Sequence, residues 1–164
     1  MSSLLIPIQM RFGDIDSYGH VNNVTMLQYL EDARVRLTAR PLPGNAVAGL
    51  PAGATFRGLV GDRLTVIGRQ EAEYTQQLRY RSEPVFVRVW VSSVGGSSFV
   101  LDYAVQEEDG SQVYAVAQTV VVQIDRGSGR PVRLDEAQRA VLELWSDAPT
   151  RFARRPAPAG DRVP

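Results

Sequence analysis

Residues with side chains suited to acid–base chemistry are concentrated between positions 14 and 23. Asp14, Asp16, His20, Asn22 and Asn23 fall in this stretch, and His20 is the only histidine of the 164-residue chain. A carboxylate can attack a carbonyl carbon or activate a water molecule, and free N–H groups at the start of a helix can polarise the carbonyl oxygen. The stretch therefore holds most of the chain's acid, base and amide candidates, at a turn that leads into a helix.

The same residues also have architectural interpretations. Asp16 is typical of a turn or an N-cap, because aspartate side chains accept hydrogen bonds from nearby backbone N–H groups. Asp14 is predicted to fix the turn or to bond Arg34, and Glu31 is predicted to form an ion pair with Arg34 three positions along a helix. His20 either orients a substrate, serves as a secondary base or is a structural hydrogen-bond donor. The residue types alone leave these roles open.

The composition indicates a single globular domain. Of the 164 residues, 44% are hydrophobic and 22% are charged, and 18 acidic side chains balance 18 basic ones. Balanced charge argues against a nucleic-acid partner, which would favour a basic surface. The absence of cysteine excludes disulfides and a cysteine nucleophile, and one histidine disfavours a histidine-rich metal site. No signal-peptide pattern and no apolar run of spanning length are found, which predicts a cytoplasmic protein without a membrane span.

Hydrophobic periodicity predicts the order of the elements. A strand over Leu4–Phe12 precedes a long helix over about 22–40, in which apolar residues recur every three or four positions. The Gly-, Pro- and Ala-rich stretch to Gly61 is predicted as a loop with one short helical turn. Four strands linked by short turns follow, and Asp135 is placed as the N-cap of a terminal helix. These strands cover Leu64–Tyr80, Val85–Val94, Ser98–Gln106 and Gln112–Asp125, and the terminal helix ends near Trp145.

Tight turns between consecutive strands make neighbouring strands antiparallel, and a sheet with one apolar face needs a cover. The long helix is the available cover. We therefore predict an α+β protein in which an antiparallel β-sheet wraps around one long central helix, the hotdog fold. Residues 1–147 are assigned to this single domain, and residues 148–164 are predicted to form a disordered C-terminal tail.

Two segments carry a closer resemblance. The first is Asp14-x-Asp16-x-x-Gly19-His20-Val21-Asn22-Asn23 followed by Tyr29-Leu30-Glu31-x-Ala33-Arg34, and the second runs from Ser97-Ser98-Phe99 through the last strand. From about Pro7 to Leu134 the sequence resembles acyl-CoA thioesterases of the 4-hydroxybenzoyl-CoA thioesterase family. The resemblance implies a hydrolase that converts an acyl-CoA thioester to free acid and CoA. It implies no cofactor, because coenzyme A is part of the substrate.

The resemblance also implies catalytic roles within the first segment. Asp16 matches the catalytic carboxylate of the family, as nucleophile or general base. The backbone N–H of Asn23 matches the group that polarises the thioester carbonyl. His20 is a third catalytic candidate, and Asn22 is a substrate-binding candidate as well as a predicted helix cap.

Further substrate-binding candidates lie outside this turn. Met26 stands where relatives often have tyrosine, and its flexible apolar side chain favours an aliphatic acyl group. Arg57 and Arg81 are candidates for the phosphates of CoA, because guanidinium groups pair with phosphate oxygens. Ser97 and Ser98 belong to the Ser-Ser-Phe pattern, before which relatives often place a basic residue that this chain lacks. An acyl carrier protein therefore stays open as the donor of the thioester.

The resemblance implies homodimers or homotetramers that join two sheets and build each site at the subunit boundary. A physical reason points the same way, since a bare sheet edge invites uncontrolled pairing. Two other classes of function remain open. One is a non-catalytic module that binds acyl-CoA or acyl carrier protein, and the other is a hotdog hydratase or dehydratase, for which His20 is the only available histidine.

Overall fold

Strands and helices follow each other in the predicted order. The computed structural model describes residues 3–153, and no helix within them is long and apolar enough to cross a lipid bilayer. The strands are β1 (Leu4–Ile8), β2 (Leu64–Tyr74), β3 (Val85–Val94), β4 (Ser98–Gln106) and β5 (Val113–Ile124). The helices are α1 (Asn23–Ala39), α2 (Phe56–Val60) and α3 (Glu136–Leu144), and a 3-10 turn, Phe12–Asp14, precedes α1.

The strands form one antiparallel sheet in the order β1-β3-β4-β5-β2. Strand β2 thus pairs with β5, and the prediction that consecutive strands are neighbours is wrong for β2 and β3, because residues 75–84 cross to the other side of the sheet. Because successive side chains of a strand point to opposite faces, every second residue faces α1. The core joins the buried side of α1 to this face and includes Met26, Leu30, Ala33, Leu37, Val85, Val87, Val89, Leu101 and Tyr103. The predicted α+β hotdog fold, with its sheet around one long helix, is confirmed.

Strand β2 is shorter than its alternating pattern predicted. It ends at Tyr74 rather than Tyr80. The next two backbone N–H groups, at positions 75 and 76, both donate to the carbonyl of Tyr114, at 2.9 and 3.1 Å, and this shared acceptor ends the regular ladder with β5. Residues 75–84 then cross to the start of β3, so the prediction of one strand as far as residue 80 is wrong.

The other boundaries lie close to their predictions, with one exception. Strand β1 ends at Ile8 rather than Phe12, because the chain enters the 3-10 turn at Phe12. Helix α2 confirms the short helical turn expected before β2. Asp135 is confirmed as the N-cap of α3, where its side chain accepts the backbone N–H of Gln138 at 2.9 Å.

Residues 146–153 cross the face of the sheet opposite α1. The indole of Trp90 donates to the carbonyl of residue 148 at 2.8 Å, and the backbone N–H of Thr150 donates to the carboxylate of Asp102 at 2.6 Å. Asp102 is fully buried and accepts two further side-chain hydrogen bonds, so both of its oxygens are satisfied. Residues 148–153 of the predicted tail thus contact the domain, and residues 154–164 lie outside the described residues.

Candidate active site

The turn between β1 and α1 is a compact loop closed by its own backbone. Asp16 donates its N–H to the carbonyl of His20 at 2.9 Å, and Gly19 donates to the carbonyl of Asp16 at 3.0 Å. Gly19 has φ = 78°, a left-handed conformation that side chains disfavour. Beyond the loop, Val21 donates its N–H to the carbonyl of Leu78 at 2.8 Å. The loop is therefore anchored to the segment that connects β2 and β3.

The two carboxylate oxygens of Asp16 have different surroundings. Oδ1 accepts the backbone N–H of Tyr18 at 2.8 Å and that of His20 at 3.4 Å. Oδ2 accepts no hydrogen bond from residues 3–153, and the residue is partly exposed. One oxygen therefore orients the group, while the other is open to substrate or water. The turn-forming role predicted for Asp16 is confirmed, and it leaves one oxygen for chemistry.

Helix α1 begins immediately after this loop. The side chain of Asn22 accepts the backbone N–H of Val24 at 2.8 Å, which confirms Asn22 as the N-cap. The backbone N–H of Asn23, the first residue of the helix, has no acceptor within the described residues. The carbonyl of Asn23 accepts the hydroxyl of Tyr74 at 3.2 Å, so the end of β2 fixes the first helical residue. Burial raises the pKa of this Tyr74 hydroxyl, which favours its protonated, donating form.

A second carboxylate, that of Asp14, links the loop to helix α1. Asp14 accepts the backbone N–H of residue 11 at 2.8 Å and the hydroxyl of Tyr29 at 2.5 Å, and its own carbonyl accepts the N–H of Asn22 at 2.9 Å. Burial first, then the hydrogen bond and charge of Asp14, raise the pKa of Tyr29 well above its usual range. The turn-fixing role of Asp14 is confirmed. Its alternative partner Arg34 instead pairs with Glu31 at 3.6 Å, as predicted for that pair.

Neither the imidazole of His20 nor the side chain of Met26 makes a hydrogen bond to the Asp16 carboxylate, although the backbone N–H of His20 does. His20 is partly buried and pairs through its backbone with Arg79, and within the described residues its imidazole has no hydrogen-bond partner. Its role as base or orienting group stays a prediction. Met26 is only 4% exposed and belongs to the core beneath α1. An acyl group can therefore meet Met26 only by entering the space between helix and sheet.

Arg81 is held by a local ion pair. Its guanidinium group makes two hydrogen bonds to Glu107, at 2.6 and 2.7 Å, and Tyr114 donates a further bond to the same carboxylate. The bond from Arg81 is the main cause of a lowered pKa of Glu107. A phosphate would have to displace Glu107 to bind this guanidinium. The structure therefore gives the predicted contact between Arg81 and CoA no support.

Ser97, Ser98 and Arg57 lie at the far end of the molecule from Asp16. Ser98 pairs with Val122 in the sheet, whereas Tyr74, which contacts the start of α1, pairs with Ala115. Seven positions along a strand correspond to about 23 Å. Arg57 is exposed on α2, just before the Leu64 end of β2. Within a single subunit, these three substrate-binding candidates therefore lie far from the Asp16 carboxylate.

Two tyrosines of the site were not identified as site residues from sequence. Tyr29 lies on the buried face of α1 and reads as an ordinary core position, yet its hydroxyl bonds Asp14. Tyr74 ends a strand, and its link to Asn23 joins residues that are far apart in sequence. A signal existed for Tyr29, because a phenol on an apolar helix face needs a polar partner. No comparable signal marked Tyr74.

Fold and site together define an α+β hotdog protein. In it, the turn before the central helix carries an aspartate with one hydrogen-bonded and one free carboxylate oxygen among the described residues. Residues 10–142 match the thioesterase-like superfamily. The chain belongs to this family and is a thioester hydrolase.

Known proteins resemble the chain over most of its length. The protein YsmA of Bacillus subtilis is 26% identical over 136 residues, which cover 82% of each chain. A thioesterase from Thermus thermophilus, solved with coenzyme A and zinc, is 29% identical with a TM-score of 0.64, over 86% of this chain and 92% of that one. The PA5185 protein of Pseudomonas aeruginosa has a TM-score of 0.70 at 24% identity, over 90% of this chain and 94% of its own, and shows likeness of fold. In the described part of the present chain, no three His, Cys, Asp or Glu side chains form a group that could hold a metal ion.

Proposed function

We propose that the protein hydrolyses acyl-CoA thioesters to a free acid and CoA, with Asp16 as the catalytic carboxylate. The observation that carries this proposal is the asymmetry of Asp16. Two backbone N–H groups hold Oδ1, while Oδ2 is unpartnered within residues 3–153 and lies just before the start of α1. A fixed carboxylate with one free oxygen suits direct attack or activation of water. The relative at 29% identity was solved with coenzyme A, which supports CoA as the thiol carrier.

The Asn23 N–H is the proposed donor to the thioester oxygen. It stands at the N-terminus of a helix of 17 residues, where the helix dipole favours developing negative charge. Tyr74 holds the carbonyl of the same residue, so the position of this N–H is fixed before substrate arrives. Removing one such donor from other enzymes raises the barrier by about 3 kcal/mol. The carboxylate then acts at the carbonyl carbon, directly or through water, while the N–H stabilises the negative charge that develops on the carbonyl oxygen.

Two reaction routes satisfy this arrangement. In the first, Oδ2 of Asp16 attacks the carbonyl carbon, the C–S bond breaks, and the thiolate of CoA leaves and takes a proton from solvent. Water then hydrolyses the mixed anhydride to the acid and regenerates the carboxylate. In the second, Oδ2 removes a proton from water, the hydroxide attacks the carbonyl, and the proton passes to the departing thiolate. Both routes require the same carboxylate and the same N–H.

The proposed active unit is a homodimer built through β2. This strand is at the edge of the sheet with β5 as its neighbour, and Val66 and Ile67 on its two faces are 38% and 43% exposed. An edge strand of 11 residues with exposed apolar side chains in its first half favours pairing with another strand. A two-fold axis pairs β2 antiparallel with its own copy and so sets the Tyr74 end of one subunit beside the Leu64 end of the other. Ser97 and Ser98 of the partner subunit then approach the Asp16 turn.

An acyl-CoA panel of short, long and aromatic acyl groups tests the activity through release of free thiol. Asp16→Asn is expected to lower kcat by at least about 100-fold, because the proton acceptor or nucleophile is lost. Asp32→Asn is the matched control, since Asp32 lies on the outer side of α1 in an ion pair with Arg36. Tight binding of acyl-CoA without turnover by the wild type, or an unchanged rate for Asp16→Asn, would contradict the proposal. In a single turnover in oxygen-18 water, label recovered in the Asp16 carboxylate identifies the anhydride route.

A further inference from the structure

A polar cluster lies inside the core, between α1 and the sheet. It consists of the guanidinium of Arg34 and the hydroxyls of Tyr103 and Thr119. Tyr103 and Thr119 are fully buried and face α1 from adjacent strands, because Thr119 pairs with Leu101, two residues before Tyr103 on β4. Arg34 reaches down from the helix, and its side chain and that of Thr119 are polar neighbours of the Tyr103 hydroxyl. Three polar groups thus meet in an otherwise apolar core.

No residue within 3–153 satisfies the inner atoms of this cluster. Nη1 of Arg34 and the hydroxyl oxygens of Tyr103 and Thr119 are buried, and each is without a hydrogen-bond partner there. Arg34 forms its ion pair through Nη2, with Glu31 at 3.6 Å. Burial is the main cause of a raised pKa of Tyr103, so its hydroxyl stays protonated. Buried donors without a partner cost stability, and the group that would satisfy these three is an acceptor oxygen.

Arg34 lies on the same side of α1 as the proposed oxyanion donor. Asn23, Leu27 and Arg34 are spaced by four and then seven positions, so they follow one another along one stripe of the helix. Tyr74 contacts the first of them, which turns the stripe toward β2. The facing side of β2 is open, since Gln70, which pairs with the threonine of the cluster, is exposed. An acyl chain can therefore run from the Asn23 N–H past Leu27 to the cluster.

The spacing along this stripe sets the length of the acyl group. Arg34 follows Asn23 by about three turns, or about 16 Å. Side chains of a helix lean toward its N-terminus, and the contact with Glu31 sets the guanidinium near the level of that residue, about 12 Å from Asn23. An extended aliphatic chain covers about 12 Å in about ten bonds. The cluster thus lies where such a chain ends.

We infer that Arg34, Tyr103 and Thr119 bind an oxygen at the far end of the acyl group. The preferred substrates are then aliphatic acyl groups of about ten carbons that end in a hydroxyl or a carboxylate. The inference rests on the proposed function and adds its substrate class. An oxygen at the chain end accepts hydrogen bonds from the cluster, whereas a methyl group leaves the donors unpaired. Arg34, whose side chain is 15% exposed, closes the cluster toward the groove and can swing aside on its long stem.

Three CoA thioesters of equal chain length test this preference. They are decanoyl-CoA, ω-hydroxydecanoyl-CoA and the monothioester of decanedioic acid with CoA. We expect kcat/KM of the wild type to be at least about tenfold higher for the two substrates with a terminal oxygen than for decanoyl-CoA. A further advantage of the carboxylate over the hydroxyl would assign the contact mainly to the charge of Arg34. Equal kcat/KM for the three thioesters, or the highest value for decanoyl-CoA, would overturn the inference.

The triple variant Arg34→Met/Tyr103→Phe/Thr119→Val removes the polar atoms with little change of volume. We expect the preference to fall below about twofold, because a methyl end no longer leaves donors unpaired. The melting temperature should not fall, since apolar groups of similar shape replace unsatisfied polar ones. Tyr103→Phe alone should weaken the preference in part, and it serves as the test if the triple variant does not fold. Arg36→Met is the matched control, because Arg36 pairs with Asp32 on the outer side of the same helix.

Binding of the matching CoA thioethers, which cannot be hydrolysed, separates this inference from the proposed function. Calorimetry should give a Kd at least about tenfold lower for the thioether with a terminal carboxylate than for the S-decyl thioether, and the triple variant should lose this difference. If Asp16→Asn releases thiol as fast as the wild type, the proposed function fails, while a Kd ratio that depends on the cluster still supports the subsite. If Asp16 is required but neither kcat/KM nor Kd depends on the cluster, only the inference fails, and the buried atoms hold water alone.

Discussion

The hydroxyl of Tyr29 donates to Oδ2 of Asp14 at 2.5 Å, from the buried face of α1 to the loop that carries Asp16. This bond joins the central helix to the turn in front of it. The carbonyl of the same Asp14 accepts the N–H of the N-cap residue Asn22 at 2.9 Å. Asp14 therefore helps to fix the positions of both the proposed catalytic carboxylate, two residues further along the loop, and the proposed oxyanion donor, which follows Asn22.

Tyr29→Phe should lower both stability and turnover. Loss of the hydroxyl leaves a partly buried carboxylate short of a donor and costs about 1–3 kcal/mol. Because the folded-state pKa of Tyr29 is raised, its contribution to stability is full below the unfolded pKa of about 10 and declines as pH rises above it. Urea unfolding should show a constant deficit near neutral pH that narrows above about pH 10. An unchanged free energy of unfolding at pH 7 would show that the Tyr29–Asp14 bond does not support the loop.

Asn22→Ala should reduce activity more than its effect on stability alone explains. The side chain of Asn22 caps α1 through the N–H of Val24, and its loss costs about 1 kcal/mol of stability. The adjacent Asn23 N–H loses its fixed direction, so we expect kcat to fall about tenfold or more with a small change in KM. Asn22→Asp keeps the cap and should retain most of the activity. Equal activity of the alanine and aspartate variants would show that the cap does not contribute to catalysis.

The ion pair between Arg81 and Glu107 should stabilise the fold in a pH-dependent way. The pKa of Glu107 is lowered in the folded state, so its contribution is present above the unfolded pKa of about 4.3 and is lost as pH falls through the folded value. Glu107→Gln should lower the free energy of unfolding by about 1 kcal/mol at pH 7. As pH falls through the folded pKa of Glu107, the deficit of the variant relative to the wild type should shrink. Thermal unfolding at a series of acidic pH values measures the effect, and a deficit that does not change with pH would assign it to packing instead.

Ile67→Glu should separate the proposed dimer. Ile67 lies on β2, the edge strand proposed as the interface, and is 43% exposed in the single chain. A carboxylate there would be buried beside its own copy across the axis, which costs more than the interface can offset. Sedimentation should show a monomer, and thioesterase activity should fall if, as proposed, each site is built from both subunits.

Leu5→Glu is the matched control for this interface. Leu5 lies on β1, the opposite edge strand, and is 37% exposed. It should leave the dimer and its activity intact. A dimer that survives Ile67→Glu but dissociates with Leu5→Glu would place the interface on β1 and contradict the proposed dimer through β2.

Local pattern was enough to predict much of this protein. The apolar spacing of residues 22–40, ended by Pro41, predicts α1, and the turn-forming residues before it predict the loop. Aspartate and asparagine bond nearby N–H groups, so the turn role of Asp16 and the cap role of Asn22 follow from sequence distances of four residues or fewer. The alternation of apolar and polar residues predicts the strands in the same way, because successive side chains of an extended backbone point to opposite faces. The hotdog arrangement then follows from which apolar faces need a cover.

Tertiary structure alone decided the contacts between distant residues. Sequence does not show that Tyr74 holds Asn23, that Arg34, Tyr103 and Thr119 form one cluster, or that Ser98 lies far from Asp16. Each of these depends on strand register and on the path of a connecting segment, which are fixed by packing over the whole sheet rather than by neighbouring residues. The end of β2 at Tyr74 is another case, since the shared acceptor Tyr114 belongs to another strand. The sequence thus determined which residues can do chemistry, and the fold decided which of them meet.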